Sequence, residues 1–108
     1  MQINVKPFEN SFAAEIDGID IQNGVNKQQF KIIHEAFLKH KVLIFRNQPL
    51  NDEAHQKFGM LFGELDGHIN KSTRHKALPS VQVFSNVKPN GETTGVHPEK
   101  GTQVWHTD

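Results

Sequence analysis

His106 and Asp108 are the residues of this chain best placed to do chemistry. Two positions apart in a strand, they would face the same side, because strand side chains alternate with a period of two. An imidazole beside a carboxylate supplies two of the three donors of the two-His-one-carboxylate facial triad, which holds Fe(II) in non-haem oxygenases. The third donor of such a site normally comes from far along a chain, and nothing in this sequence stands for it. A metal is expected here, on imidazole, carboxylate and water.

The composition supports that choice of donors. The 108 residues contain no cysteine, which excludes thiolate metal sites, disulfides and cysteine nucleophiles, whereas seven histidines keep imidazole ligation open. Twelve basic and twelve acidic side chains cancel, so no net field favours nucleic acid or an anionic membrane. The first residues, Met1 to Pro7, lack the apolar stretch of a signal peptide, and no run approaches the roughly 20 apolar residues that span a bilayer. The expectation is a soluble, cytoplasmic protein with one modest core, burying about 65% of its unfolded surface.

The elements that must position the ligands can be read from periodicity. Ile3-Val5 and Phe12-Ala14-Ile16 alternate with polar neighbours and predict a short N-terminal strand pair, with turns at Asp17-Gly18 and Asn23-Gly24. Asn26 can cap a helix whose apolar stripe is Phe30, Ile33, Phe37 and Leu38, ending near His40-Lys41. Val42 to Phe45 is a continuous apolar run and reads as a strand buried on both faces. Asn51 opens a second helix with Ala54, Phe58, Leu61 and Phe62 inward and Gly63 near its end. Ser80 to Phe84 predicts another strand. Residues 86–104 read as a long loop or lid that delivers the chain into Trp105-His106-Thr107-Asp108. Together these make an α+β chain.

In order and spacing, Ala14-Glu15-Ile16-Asp17-Gly18-Ile19-Asp20, Phe37-Leu38-Lys39-His40, Val42-Leu43-Ile44-Phe45-Arg46-Asn47-Gln48, Phe62-Gly63-Glu64-Leu65 and Trp105-His106-Thr107-Asp108 resemble the N-terminal part of the taurine/2,4-D dioxygenase (TauD/TfdA) family. The resemblance implies a double-stranded β-helix, a cupin-like jelly-roll of two sheets with flanking helices, here incomplete. It implies Fe(II) and 2-oxoglutarate as cofactor and cosubstrate, with His106 and Asp108 as iron ligands. The family's substrate-contacting His matches His68. Its distal iron-binding His and the Arg that pairs with 2-oxoglutarate have no counterpart, so residues 1–108 are expected to be the N-terminal portion of one dioxygenase domain, cut at the metal motif and inactive alone. The sulfonate-binding members place an Asn shortly before the motif, where Thr102 stands here, which speaks against taurine itself.

The implied activity is 2-oxoglutarate-dependent hydroxylation of a small anionic molecule of sulfonate, carboxylate or aryloxyacid type, with O2 as second substrate and homo-oligomerisation left open. The alternative is a non-catalytic metal-binding or interaction module complete at 108 residues. A His/carboxylate zinc hydrolase is disfavoured by the lack of a His-Glu-x-x-His pair. Plainer roles are expected elsewhere. His34, His40, His55 and His75 read as surface residues and His97 as a solvent-exposed loop residue. Arg46 should close a structural ion pair, Trp105 should pack beneath the metal site, and Phe58, Leu61 and Phe62 should be core.

Overall fold

The computed structural model describes residues 2–67, 74–93 and 104–106. It divides into two compact units, Met1–Leu65 and Asp66–Asp108.

The first unit contains every named helix and strand of the described residues. Strand β1 (Asn4–Pro7) pairs antiparallel with β2 (Ala14–Asp17), and β2 pairs in parallel with β3 (Leu43–Phe45), giving the order β1-β2-β3. Parallel neighbours need a crossover. Helix α1 (Lys27–His40) supplies it between β2 and β3. Alternation puts Ala14 and Ile16 inward, both buried, and leaves Glu15 and Asp17 half-buried on the other face. At the end of β2 the chain turns at Gly18, whose φ is +77° and where a Cβ would collide with the Gln2 carbonyl oxygen. Only glycine meets both demands.

Both helices start where their cap residues require. Asn26 Oδ1 accepts from the Gln29 N–H at 2.8 Å, and Gln29 Oε1 accepts from the Asn26 N–H at 3.0 Å, a reciprocal capping box. Helix α2 (Asp52–Met60) has Asn51 as its cap, accepting from the Ala54 N–H at 2.8 Å, with Asp52 and Glu53 at the positive end of the dipole. Helix α1 ends at Lys41, which takes a φ of +69° and returns its N–H to the Phe37 carbonyl at 2.8 Å.

The core is Ile16, Ile19, Ile21, Ile33 and Ala36, with Leu43, Phe45 and Phe58 packed against it. Fully burying Ile16 and Ile33 stabilises this unit by about 1.5–3 kcal/mol each. An aromatic chain extends the core: Phe45 to Phe58 at 5.6 Å, Phe58 to Phe62 at 5.5 Å and Phe62 to Phe30 at 5.0 Å, all edge-to-face.

Several expectations are corrected here. The buried face of α1 is Ile33, Ala36 and His40, while Phe37 and Leu38 are exposed. The helix turns the smaller Ala36 to the core, and the bulky neighbours one and two positions on rotate outward. His40 is therefore buried, with Nδ1 donating to the Phe12 carbonyl at 3.1 Å. Strand β3 is half-buried throughout, because it is an edge of the sheet and has a neighbour on one side only. Leu61 and Phe62 lie beyond the end of α2 and remain exposed, although Phe62 edges onto Phe30 and Phe58. Ser80 to Phe84 forms no strand: an isolated bridge of Arg74 with Gln82 and the bond from His75 N–H to the Val81 carbonyl at 2.7 Å do not extend into a ladder among the described residues. The described residues hold one three-stranded mixed sheet, not two facing sheets. None of their helices is long and apolar enough to cross a membrane.

Candidate functional site

Of the three residues singled out for chemistry, His106 lies among the described residues, and His68 and Asp108 lie outside them, as do His97 and Thr102. Val104, Trp105 and His106 are exposed and form no strand. The same-face argument for His106 and Asp108 rested on a strand, and a strand requires a paired neighbour that no described residue provides. Trp105 is fully exposed and not packed beneath a metal site, for the same reason: no described side chain covers it.

The His106 ring is oriented by its own backbone. Its Nδ1 lies 2.7 Å from the Val104 carbonyl oxygen. A carbonyl only accepts, so Nδ1 is the donor in this contact, and a neutral ring holding it keeps its lone pair on Nε2. Metal-ligating histidines commonly donate the other ring N–H to a carbonyl or carboxylate, which sets tautomer and orientation together. The side chain thus fits the imidazole position of a metal site through Nε2. Among the described residues no group of three His, Asp or Glu side chains converges as a complete ligand set.

The remaining described parts of the second unit are turns. His75 is half-buried, and its Nδ1 accepts from the Ala77 and Leu78 N–H groups at 3.1 and 3.0 Å. That is a backbone-capping role and not the surface position expected of it. Within residues 86–104, expected to be loop, Val87 and Thr93 bridge across a tight reversal. Gly91 takes a φ of +89° there, and Lys88 N–H meets the Glu92 carbonyl at 2.7 Å. Residues 94–103 of that segment lie outside the described residues.

In the first unit the plainer expectations hold in part. Arg46 pairs with Glu15, joining the end of β3 to β2. His34 and His55 are exposed, and His34 stacks on Phe30 at 5.6 Å. Sequence reasoning missed Gln48, which bridges two backbone groups of the turn after β2. It donates to the Ile19 carbonyl and accepts from the Ile21 N–H, both at 3.0 Å. No local signal marks such a residue, because its partners are 27 and 29 positions away.

A protein-family model described as taurine catabolism dioxygenase TauD, TfdA family, matches residues 4–108. The chain is 29% identical to an alkylsulfatase of Acinetobacter baylyi over 110 residues, covering 99% of this chain and 31% of that protein. It is 25% identical to an alpha-ketoglutarate-dependent 2,4-dichlorophenoxyacetate dioxygenase of Cupriavidus pinatubonensis, covering 100% and 40%. Among solved structures it resembles AAD-2 in complex with Mn(II) and N-oxalylglycine, with a TM-score of 0.59 and 25% identity over 62% of this chain and 26% of that one. The chain thus spans about a third of the length of the curated relatives it matches. With a family match running from the first strand through the His106 motif, the chain belongs to the TauD/TfdA family of dioxygenases.

Proposed function

We propose that this chain is the N-terminal part of an Fe(II)- and 2-oxoglutarate-dependent dioxygenase domain that hydroxylates a small organic anion. On this reading β1-β2-β3 and its helices flank and begin a jelly-roll, and residues 86–104 form the loop or lid leading to the metal motif. The observation that carries the reading is the family match reaching His106, joined to the Nδ1–H tautomer that fits this ring for ligation through Nε2. Relatives named for alpha-ketoglutarate dependence, and a structural neighbour holding Mn(II) with a dicarboxylate isostere of 2-oxoglutarate, support the same cofactor set.

Each residue then has a distinct task. His106 Nε2 and the Asp108 carboxylate hold the metal, a pair of donors suited to a divalent iron. The Val104 carbonyl keeps the imidazole in the ligating tautomer and at a fixed angle. When bound, iron and 2-oxoglutarate supply the chemistry that delivers an oxygen atom from O2 to a C–H bond. His68 holds the anionic group of the substrate. A sulfate ester or aryloxyacetate is the class that the relatives' names point to, and the family's description adds a sulfonate, taurine. Hydroxylation at the carbon bearing such a group gives a product that collapses and releases it.

The test is metal binding and turnover in a protein carrying this segment at its relatives' full length. His106→Ala and Asp108→Ala should each abolish Mn(II) binding, read by electron paramagnetic resonance, and with it 2-oxoglutarate turnover. His68→Gln should raise the substrate KM and leave Mn(II) affinity unchanged. Wild-type metal affinity in both ligand variants would sink the assignment.

A further inference from the structure

Within residues 1–65, a cleft separates the turn at Ile21–Val25 from α2. Its volume is about 390 Å³, at the lower end of the roughly 300–1,000 Å³ typical of small-molecule sites. Ile21 and Ala54, 5% and 8% exposed, line it as buried apolar surface, and Phe58 and Leu61 extend that lining. Its polar side chains are Gln22, Asn23 and Lys57; the Asn23 amide is already engaged, its Nδ2 donating to Asp20 Oδ2 at 2.6 Å, which leaves Gln22 and Lys57 to meet a ligand.

Both walls are held by bonds that need no ligand. Gln48 clamps the Ile19 carbonyl and the Ile21 N–H, and Gly24 N–H closes the turn onto the Ile21 carbonyl at 3.1 Å. Asn51, the cap of α2, donates its N–H to Gln22 Oε1 at 2.9 Å, which ties the turn to the helix. A cleft built this way loses little conformational freedom on binding.

The bond from Asn51 also orients the Gln22 amide. Its oxygen is used, which leaves the NH2 as a donor. Lys57 is exposed and pairs with no carboxylate among the described residues. An ammonium and an amide NH2 on an apolar cleft complement a negative headgroup on an apolar body. A cation would have to approach the Lys57 ammonium, and a sugar-like polyol would leave its hydroxyls unsatisfied against Ile21 and Ala54.

We propose that this cleft binds a small amphipathic organic anion, its alkyl or aryl body against Ile21, Ala54 and Phe58 and its headgroup between Lys57 and the Gln22 NH2. Octyl sulfate, titrated below its micelle concentration into a protein carrying this segment at its relatives' full length, is the probe. Methyl and amide NMR shifts should saturate with a single constant and concentrate at Ile21, Ala54 and Leu61. Lys57→Gln should weaken binding roughly tenfold, as expected for loss of one charge-assisted contact, and uncharged octanol should bind the wild type about as weakly. Ala54→Leu should block the cleft. Because that variant crowds α2, unchanged Ile33 methyl shifts must show that it is folded, and Lys57→Gln, at an exposed site, tests the proposal independently. Non-saturating binding, shifts spread over exposed Phe37 and Leu38, or equal affinity for octanol and octyl sulfate would each overturn it.

Discussion

Between Met1 and Leu65 each described helix and strand finds its partner within that stretch, and eight hydrophobic side chains there are buried. Between Asp66 and Asp108 the described residues make two isolated bridges and bury one, Val81. Yet the residues proposed for chemistry, His68, His106 and Asp108, all fall in the second stretch. The contrast follows from how each is ordered. A βαβ unit with capped helices satisfies its backbone locally, whereas a ligand-bearing segment takes its order from strands and ligands contributed from elsewhere. On the proposed reading, the first stretch is scaffold and the second carries the site.

That division can be broken by separating stability from metal binding. The largest effect belongs to Ile33→Ala, which removes a side chain with no exposure from the centre of α1. It should destabilise residues 1–65 by about 2–5 kcal/mol, measured by urea unfolding followed by circular dichroism. His106→Ala should do the converse, losing the metal without moving that unfolding midpoint. A midpoint shift as large as that of Ile33→Ala would show that the two stretches are one cooperative body and end the comparison.

Two histidines sharpen it further. His40→Ala breaks a buried bond to the Phe12 carbonyl and should cost roughly 1–3 kcal/mol. His55→Ala, on an exposed helix face, should change stability by no more than about 0.5 kcal/mol. Similar losses from both would mean that His40 is not a pin between α1 and the Phe8–Ala13 turn. Next in size is the cap: Asn26→Ala should cost about 1 kcal/mol, and Asn26→Ser should recover most of it.

The smallest effect is electrostatic. Lys6 Nζ lies 2.5 Å from Asp17 Oδ2 across β1 and β2. This contact holds the Asp17 carboxyl below its ordinary value of 3.8 and pushes the Lys6 ammonium above 10.5. A depressed carboxylate contributes above its unfolded pKa and loses that contribution as pH falls through its folded one. A raised ammonium contributes below its unfolded pKa and loses it as pH rises through the folded one. The pair therefore supports the hairpin between those limits, weakly, since both side chains are substantially exposed and screened by salt. Asp17→Asn should flatten the acid limb of the stability curve, and added salt should mimic it. An unchanged acid limb would place the pair outside the energetics of the first stretch.

Much of the scaffold was legible because its signals are local. Asn26 and Asn51 cap within three residues, Gly18 and Gly24 turn at their own φ, and the alternation in Ala14 to Asp17 needs nothing beyond the strand. The Arg46 ion pair could also be anticipated, from a cation placed directly after an apolar run. The errors share a cause. Its charged neighbours give His40 the pattern of a surface residue, but burial is set by which arc of α1 meets the sheet, and Ala36 decides that arc. The spacing that makes Leu61 and Phe62 look like core continues past Met60, where the helix has already ended.

For the candidate site, residue identity carried the chemistry and geometry did not follow from it. The sequence by itself determined the donor types, the order of the motifs and the family they belong to, since these are properties of side chains and spacing. Only the tertiary structure decided that His40 is buried against the Phe12 carbonyl, that β3 is an edge among the described strands, and that Gln48 clamps a turn 27 positions away. Each depends on a partner that spacing along the chain does not specify: where two distant backbones meet is set by packing of the whole, not by the residues at either end.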